Sequence, residues 1–126
     1  MEAPWTEREV KRALFFAYHE RYAVLTEVCA YDEAQRRIDV LLFSRKERRA
    51  IEIKVSRADL LSDVSHPEKQ QPWREITHRH YYAVPAPLLE FAISAVPMTL
   101  PSHVRLIEVG PRDGLQNEAL DRKSVV

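Results

Sequence analysis

Ile51-Glu52-Ile53-Lys54-Val55, followed at once by Ser56-Arg57-Ala58-Asp59-Leu60, is the stretch on which the fold turns. Side chains alternate along a strand, so Ile51, Ile53 and Val55 share one face while Glu52 and Lys54 share the other. Ser56 with Asp59 three residues later has the form of a capping box in which Asp replaces Glu. It predicts a short helix from Arg57 to about Asp63.

Working outward, Ile38 to Phe43 is a second apolar run. The short, charged segment 44–49 between the runs predicts an antiparallel hairpin with a longer loop. Asp39 then shares a face with Leu41 and Phe43. If Phe43 pairs with Ala50, Asp39 lies opposite Lys54 with Glu52 on the diagonal; a slip of two residues puts Asp39 opposite Glu52 instead. Either register gathers all three. Charges inside a strand that is apolar on both faces cost several kcal/mol unless they are paired or bind metal. Two carboxylates and a main-chain carbonyl such as that of Ile53 are the hard oxygen donors that magnesium takes while keeping waters and contacting phosphate. Lys54 would orient a water or neutralise charge building on phosphorus. The simpler alternative, of equal weight on alternation alone, is a cross-strand Asp39–Lys54 salt bridge with Glu52 in solvent.

Toward the N-terminus, Thr6 is a fitting N-cap for a helix running to about Arg21, with Glu7 and Glu9 in its first turn. Val10, Leu14, Ala17 and Arg21 form one stripe, and extending it backward reaches Glu7, which places that acid toward the sheet as a further candidate ligand. Tyr22 to Tyr31 reads as a first strand and 32–37 as a polar connection. Pro67 and Pro72 predict a partly irregular 66–77. Tyr81 to Val84 reads as a strand, Pro87 to Val96 as a helix and Val104 to Val109 as a last strand. The expected organisation is one domain over 1–110 and a polar C-terminal tail over 111–126.

Composition narrows the classes. The chain has 126 residues, 45% hydrophobic and 30% charged, which suits a single packed domain. Cys29 is the only cysteine, so no internal disulfide or cysteine-rich zinc site can form; Gly110 and Gly114 are the only glycines, so no P-loop or dinucleotide fingerprint can be written. Net charge is zero, which counts mildly against nucleic-acid binding by charge alone, although carboxylates that gather metal ions lower the net charge while the bound cations restore a positive surface toward phosphate. Glu2, Glu7 and Glu9 argue against a secretory leader. The longest apolar stretch, 82–100, contains Glu90 and three prolines, so a cytoplasmic protein without a membrane partner is expected.

Read as a pattern, Arg37-Ile38-Asp39-Val40-Leu41, then Ile51-Glu52-Ile53-Lys54-Val55-Ser56-Arg57-Ala58-Asp59-Leu60 thirteen residues on from the aspartate, resembles the PD-(D/E)XK nuclease superfamily. It most closely resembles the MmcB-like DNA-repair group, as does His80-Tyr81-Tyr82-Ala83-Val84-Pro85 further on. The resemblance spans Thr6 to about Val109. It implies an α/β, restriction-endonuclease-like fold with a central mixed sheet of about four to five strands flanked by helices. It further implies metal binding by Asp39 and Glu52, a catalytic Lys54, Mg2+ or Mn2+ as cofactor and DNA as partner, with a homodimer left open. Glu7-Arg8-Glu9-Val10 resembles a first-helix segment of archaeal Holliday-junction resolvases of the same superfamily, which adds Glu7 to the catalytic set. The family's proline before the aspartate is absent. The implied function is metal-dependent hydrolysis of DNA phosphodiester bonds in repair or processing; the alternative is an inactive DNA-binding module on the same fold.

Secondary signals are weaker. Arg57 and Lys69 are candidate DNA contacts. Arg45, Lys46, Arg48 and Arg49 form a basic hairpin tip best read as a solvated turn, and His78 and His80 sit at strand spacing without a third metal ligand nearby. The segment 106–118 resembles the opening strand motif of 3-hydroxy-3-methylglutaryl-CoA lyase, with Arg112 and Asp113 at its functional positions, but that family needs a barrel of roughly 250 residues.

Overall fold

A computed structural model describes residues 5–29, 36–95, 104–110 and 114–120. Helix α1 (Glu7–Tyr18) begins where Thr6 and Glu9 close a capping box: the Glu9 amide donates to Thr6 Oγ1 at 3.2 Å and the Thr6 amide donates to Glu9 Oε1 at 3.1 Å. Strands β1 (Ala23–Cys29), β2 (Arg37–Phe43) and β3 (Arg48–Ile53) follow, then α2 (Arg57–Val64), capped by Ser56, whose hydroxyl accepts from the Asp59 amide. A 3-10 turn at Pro67–Lys69 leads into α3 (Gln71–Ile76); β4 (Arg79–Pro85), α4 (Leu89–Ala95), β5 (Val104–Gly110) and β6 (Gly114–Leu120) complete the order.

The expected α/β architecture is what the chain adopts: a mixed sheet flanked by helices, in the spatial order β1-β2-β3-β4-β5-β6. β1–β2, β2–β3 and β5–β6 pair antiparallel, whereas β3–β4 and β4–β5 pair parallel. Parallel neighbours need a crossover, which α2 and α3 supply for the first pair and α4 for the second. On one face α1 places Val10, Ala13, Leu14 and Tyr18 against Val40, Leu42, Ile51, Ile53, Tyr81, Ala83, Ile107 and Val109. On the other, Leu60 of α2 and Ala92 of α4 pack with Tyr82, Val84, Val104 and Leu106. Trp73 of α3 closes a smaller cluster with Ile38 and Ala50. β4 is covered on both sides, which explains its unbroken burial from His80 to Pro85.

Three expectations change. The segment 66–77 is more regular than its two prolines suggest, because Pro72 falls in the first turn of α3, where its missing N–H has no helical partner to lose. Glu7 continues the stripe of α1 but is exposed rather than core-facing, in the first turn of the helix and paired with Lys11 one turn on. The expected polar tail over 111–126 holds a sixth strand: β6 runs antiparallel to β5, with Gly110 paired to Gly114 and Leu106 to Leu120, and occupies the edge that β5 would otherwise expose. Arg112, Asp113 and 121–126 lie outside the described residues.

Candidate active site

The candidate site forms where β2 begins and β3 ends. The hairpin takes the second of the two registers, Val40↔Ile51 and Leu41↔Ala50, which continues to set Asp39 level with Glu52. Past Ile51 the backbone ladder stops and a side chain takes over, the Ile53 amide donating to Asp39 Oδ2 at 2.8 Å. β3 meanwhile stays joined to β4 through the Lys54 amide and the Ala83 carbonyl at 3.0 Å. The two strands therefore fork at Asp39, and Glu52 and Lys54 lie in the fork. It sits at the carboxyl end of two parallel strands, the end where open α/β sheets place their ligands.

Glu52 and Lys54 keep only 12% and 13% of their side-chain surface exposed, with Nζ 3.8 Å from Glu52 Oε1. The simpler alternative of Glu52 in solvent therefore does not hold. Burial, followed by the charge of Asp39, pushes the Glu52 carboxyl up to about 9, and Lys54 opposes this without cancelling it. Glu7 comes within side-chain reach of Asp39 from the first turn of α1. Lost hydration and the Asp39 charge raise it above the usual carboxylate range, against the pull of Lys11, whose Nζ is 3.5 Å away.

A further acid joins from β1. The β1–β2 ladder passes from Thr26↔Val40 to Val28↔Ile38 and skips Glu27, which has φ 54°, the left-handed region that a non-glycine residue occupies at a cost of about 1–2 kcal/mol. Glu27 pairs with Lys11 and with Arg37 Nε at 3.0 Å, and its bond from Lys11 holds it below the ordinary range. Carboxylate oxygens of Glu7, Glu27 and Asp39 all lie within 4.8 Å of one another. Asp39 is thus shared between an inner pair with Glu52 and an outer, more exposed group with Glu7 and Glu27.

Behind Glu52 lies a network of buried polar side chains that strand alternation does not reveal. Gln70 Nε2 donates to Glu52 Oε2 at 3.1 Å and to Asp63 Oδ1 at 3.5 Å; Asp63 also accepts from the Tyr82 hydroxyl at 2.6 Å and stands 3.6 Å from Lys54 Nζ. Arg74 Nη2 donates to the Tyr82 hydroxyl at 2.9 Å, and His80 Nε2 lies 3.4 Å from Gln70 Oε1. Asp63, Gln70, Arg74 and His80 are each buried, and a buried polar network of this size fixes the orientation of what it touches. Its chain signal was an acid on the apolar side of α2: Leu60 and Asp63, three apart, are that helix's two buried residues.

The remaining expected residues fall elsewhere. Arg57, at the first position of α2, lies 5.0 Å over the Phe91 ring of α4, and Lys69 sits in the 3-10 turn before Gln70. His78 Nδ1 accepts from the Arg48 amide, so His78 joins β3 to the start of β4 while His80 belongs to the network. No family model, no curated protein and no solved structure matches this chain.

Proposed function

We propose that this protein is a metal-dependent nuclease of PD-(D/E)XK type that hydrolyses DNA phosphodiester bonds in repair or processing. The observation that carries the reading is the fork: Asp39, Glu52 and Lys54 meet at the carboxyl end of β3, with Glu52 pushed up to about 9 by burial and by its acidic neighbour. Carboxylates so crowded, with Glu7 and Glu27 beside them, suit a divalent cation, and their hard oxygens are the donors magnesium or manganese takes. Asp39 and Glu52 would hold it. Such an ion lowers the pKa of a bound water and offsets the charge that develops on phosphorus.

The chain's own groups supply the rest. Asp39 is held in place by the Ile53 amide, which donates to its Oδ2. Gln70 holds Glu52 Oε2, and Asp63 and Glu52 flank the Lys54 ammonium, keeping it at the fork to meet a developing phosphoryl charge. Glu7, its carboxyl raised by lost hydration and by the Asp39 charge, stands at the open side of the site.

The test uses labelled single-stranded, duplex, flapped and branched DNA with Mg2+ or Mn2+, beside Glu52→Ala and Lys54→Ala. Cleavage by the wild type that falls by about 100-fold or more in both variants is the expected result, the size of losing one charge-stabilising group. Equal activity in all three identifies a contaminant. Metal-independent DNA binding without cleavage replaces the nuclease by the inactive DNA-binding module.

A further inference from the structure

The Lys54 ammonium rides on a flexible four-carbon stem one residue past the end of β3, so its neighbours decide where in the fork the charge stands. Two acids flank it, Glu52 Oε1 at 3.8 Å and Asp63 Oδ1 at 3.6 Å. Glu52 belongs to the same strand, whereas Asp63 comes from α2 and is buried. What fixes the Asp63 carboxylate therefore fixes the ammonium from outside β3.

Tyr82 of β4 holds that carboxylate. Paired directly with Glu52 in the β3–β4 register, it leaves the sheet on the same face, and it is fully buried. Its hydroxyl donates to Asp63 Oδ2 at 2.6 Å and accepts from Arg74 Nη2 of α3 at 2.9 Å. A guanidinium has no acceptor, so Arg74 takes up a lone pair of the hydroxyl and leaves its one proton for Asp63. Burial and the Asp63 charge raise the Tyr82 hydroxyl above its ordinary value, which keeps that proton in place. With Oδ2 tied in this way, Oδ1 is the oxygen turned toward Lys54 Nζ and Gln70 Nε2. Arg74 is itself a buried cation with no ion pair among the described residues, and its Nε has no hydrogen-bond partner there. The negative charge that offsets it is that of Asp63, one hydroxyl away. Asp63 thus answers to two cations, Arg74 through Tyr82 and Lys54 across the fork.

We propose that Tyr82 and Arg74 are positioning residues for Lys54, acting through Asp63, so that a chain of donors from α3 and β4 sets where the ammonium stands. The inference deepens the hydrolysis proposed above and rests on that reading for its effect on cleavage; the placing of Lys54 is independent of it.

The experiment is NMR relaxation at Lys54 Cε in the full chain with isotope-labelled lysine and no metal, the signal being the one lost in Lys54→Arg, followed by steady-state cleavage with Mg2+. Tyr82→Phe, Arg74→Met and Asp63→Asn are compared with the wild type and with Tyr81→Phe, which removes a buried hydroxyl from the same strand on the α1 side. The expected result is a Lys54 order parameter that falls by about a third in the three variants, the step from a rigid group to a mobile one, and keeps the wild-type value in Tyr81→Phe. Cleavage in the three then loses about tenfold in kcat with KM within about twofold, since one charge-assisted bond is lost behind the group that meets the transition state. Asp63→Asn keeps the shape of its side chain, so it carries the test where Tyr82→Phe or Arg74→Met does not fold. A Lys54 as rigid in Asp63→Asn as in the wild type overturns the inference, as does equal loosening in Tyr81→Phe. Cleavage that needs Lys54 but is unchanged in Asp63→Asn also overturns it. A loosened Lys54 in a protein that cuts no DNA keeps the positioning and removes the nuclease reading.

Discussion

Glu52 decides the protonation behaviour of the fork. In the folded chain its carboxyl holds its proton to about 9, whereas its ordinary value is 4.5. Between those values the folded state binds more protons than the unfolded state, so stability from this group is lost as pH rises through the window. Glu7 is shifted in the same direction. Thermal melts of the metal-free protein should therefore show a midpoint that declines from about pH 5 to pH 9, and Glu52→Gln, which cannot ionise, should flatten the decline. A wild-type slope that persists unchanged in the variant would assign it to other groups. The alternation in 51–55 placed Glu52 and Lys54 on one face and allowed two positions for Asp39, of which the fold takes the one level with Glu52. Alternation could not show that Gln70, Asp63 and Tyr82 stand behind them. Those contacts join residues 18 and 19 positions apart across a crossover, and only the packing of α2 and α3 against the sheet creates them.

Helix α1 illustrates what an element inherits from its ends. Its start was legible because a capping box is a local device in which Thr6 and Glu9 satisfy each other's amides. Its end was not, since the helix stops at Tyr18, where that residue is needed in the core and the Arg21 and Tyr22 amides both turn back to its carbonyl. Because Glu7 sits in the capped turn, the cap also bears on the site. Thr6→Ala should cost about 1 kcal/mol in denaturant unfolding and, where the nuclease is active, lower cleavage more than Glu9→Gln, which keeps the N3 side of the capping box. A Thr6→Ala protein of wild-type stability would show that packing against β2 and β3 alone fixes the helix start. The β2–β3 hairpin was readable in the same local way. β6 is not legible in the polarity of 111–126, because a strand at the edge of a sheet is recruited by the unpaired backbone of β5 whatever its hydropathy.

At the scale of the whole molecule, α1 covers one side of the sheet and α2, α3 and α4 cover part of the other, so the acids at the fork and the cations at the hairpin tip lie at opposite ends of the same two strands. Zero net charge conceals that separation, since composition sums over both ends of the strands. No helix among the described residues is long and apolar enough to cross a membrane. Among the described residues β1 ends the sheet on one side, and Ala23–Cys29 contains a single charged residue, Glu27, which is also its residue with positive φ. A charged position of positive φ in that strand interrupts the row of amides and carbonyls where a second copy would need it continuous. Glu27→Thr, which restores both an extended backbone and an uncharged strand, should form species that grow with concentration in sedimentation velocity. A variant that stays monodisperse would mean that the twist of β1 is enough to keep a second copy off. Growth with concentration would make the left-handed residue beside the fork a barrier to polymerisation as well as a member of the acidic group.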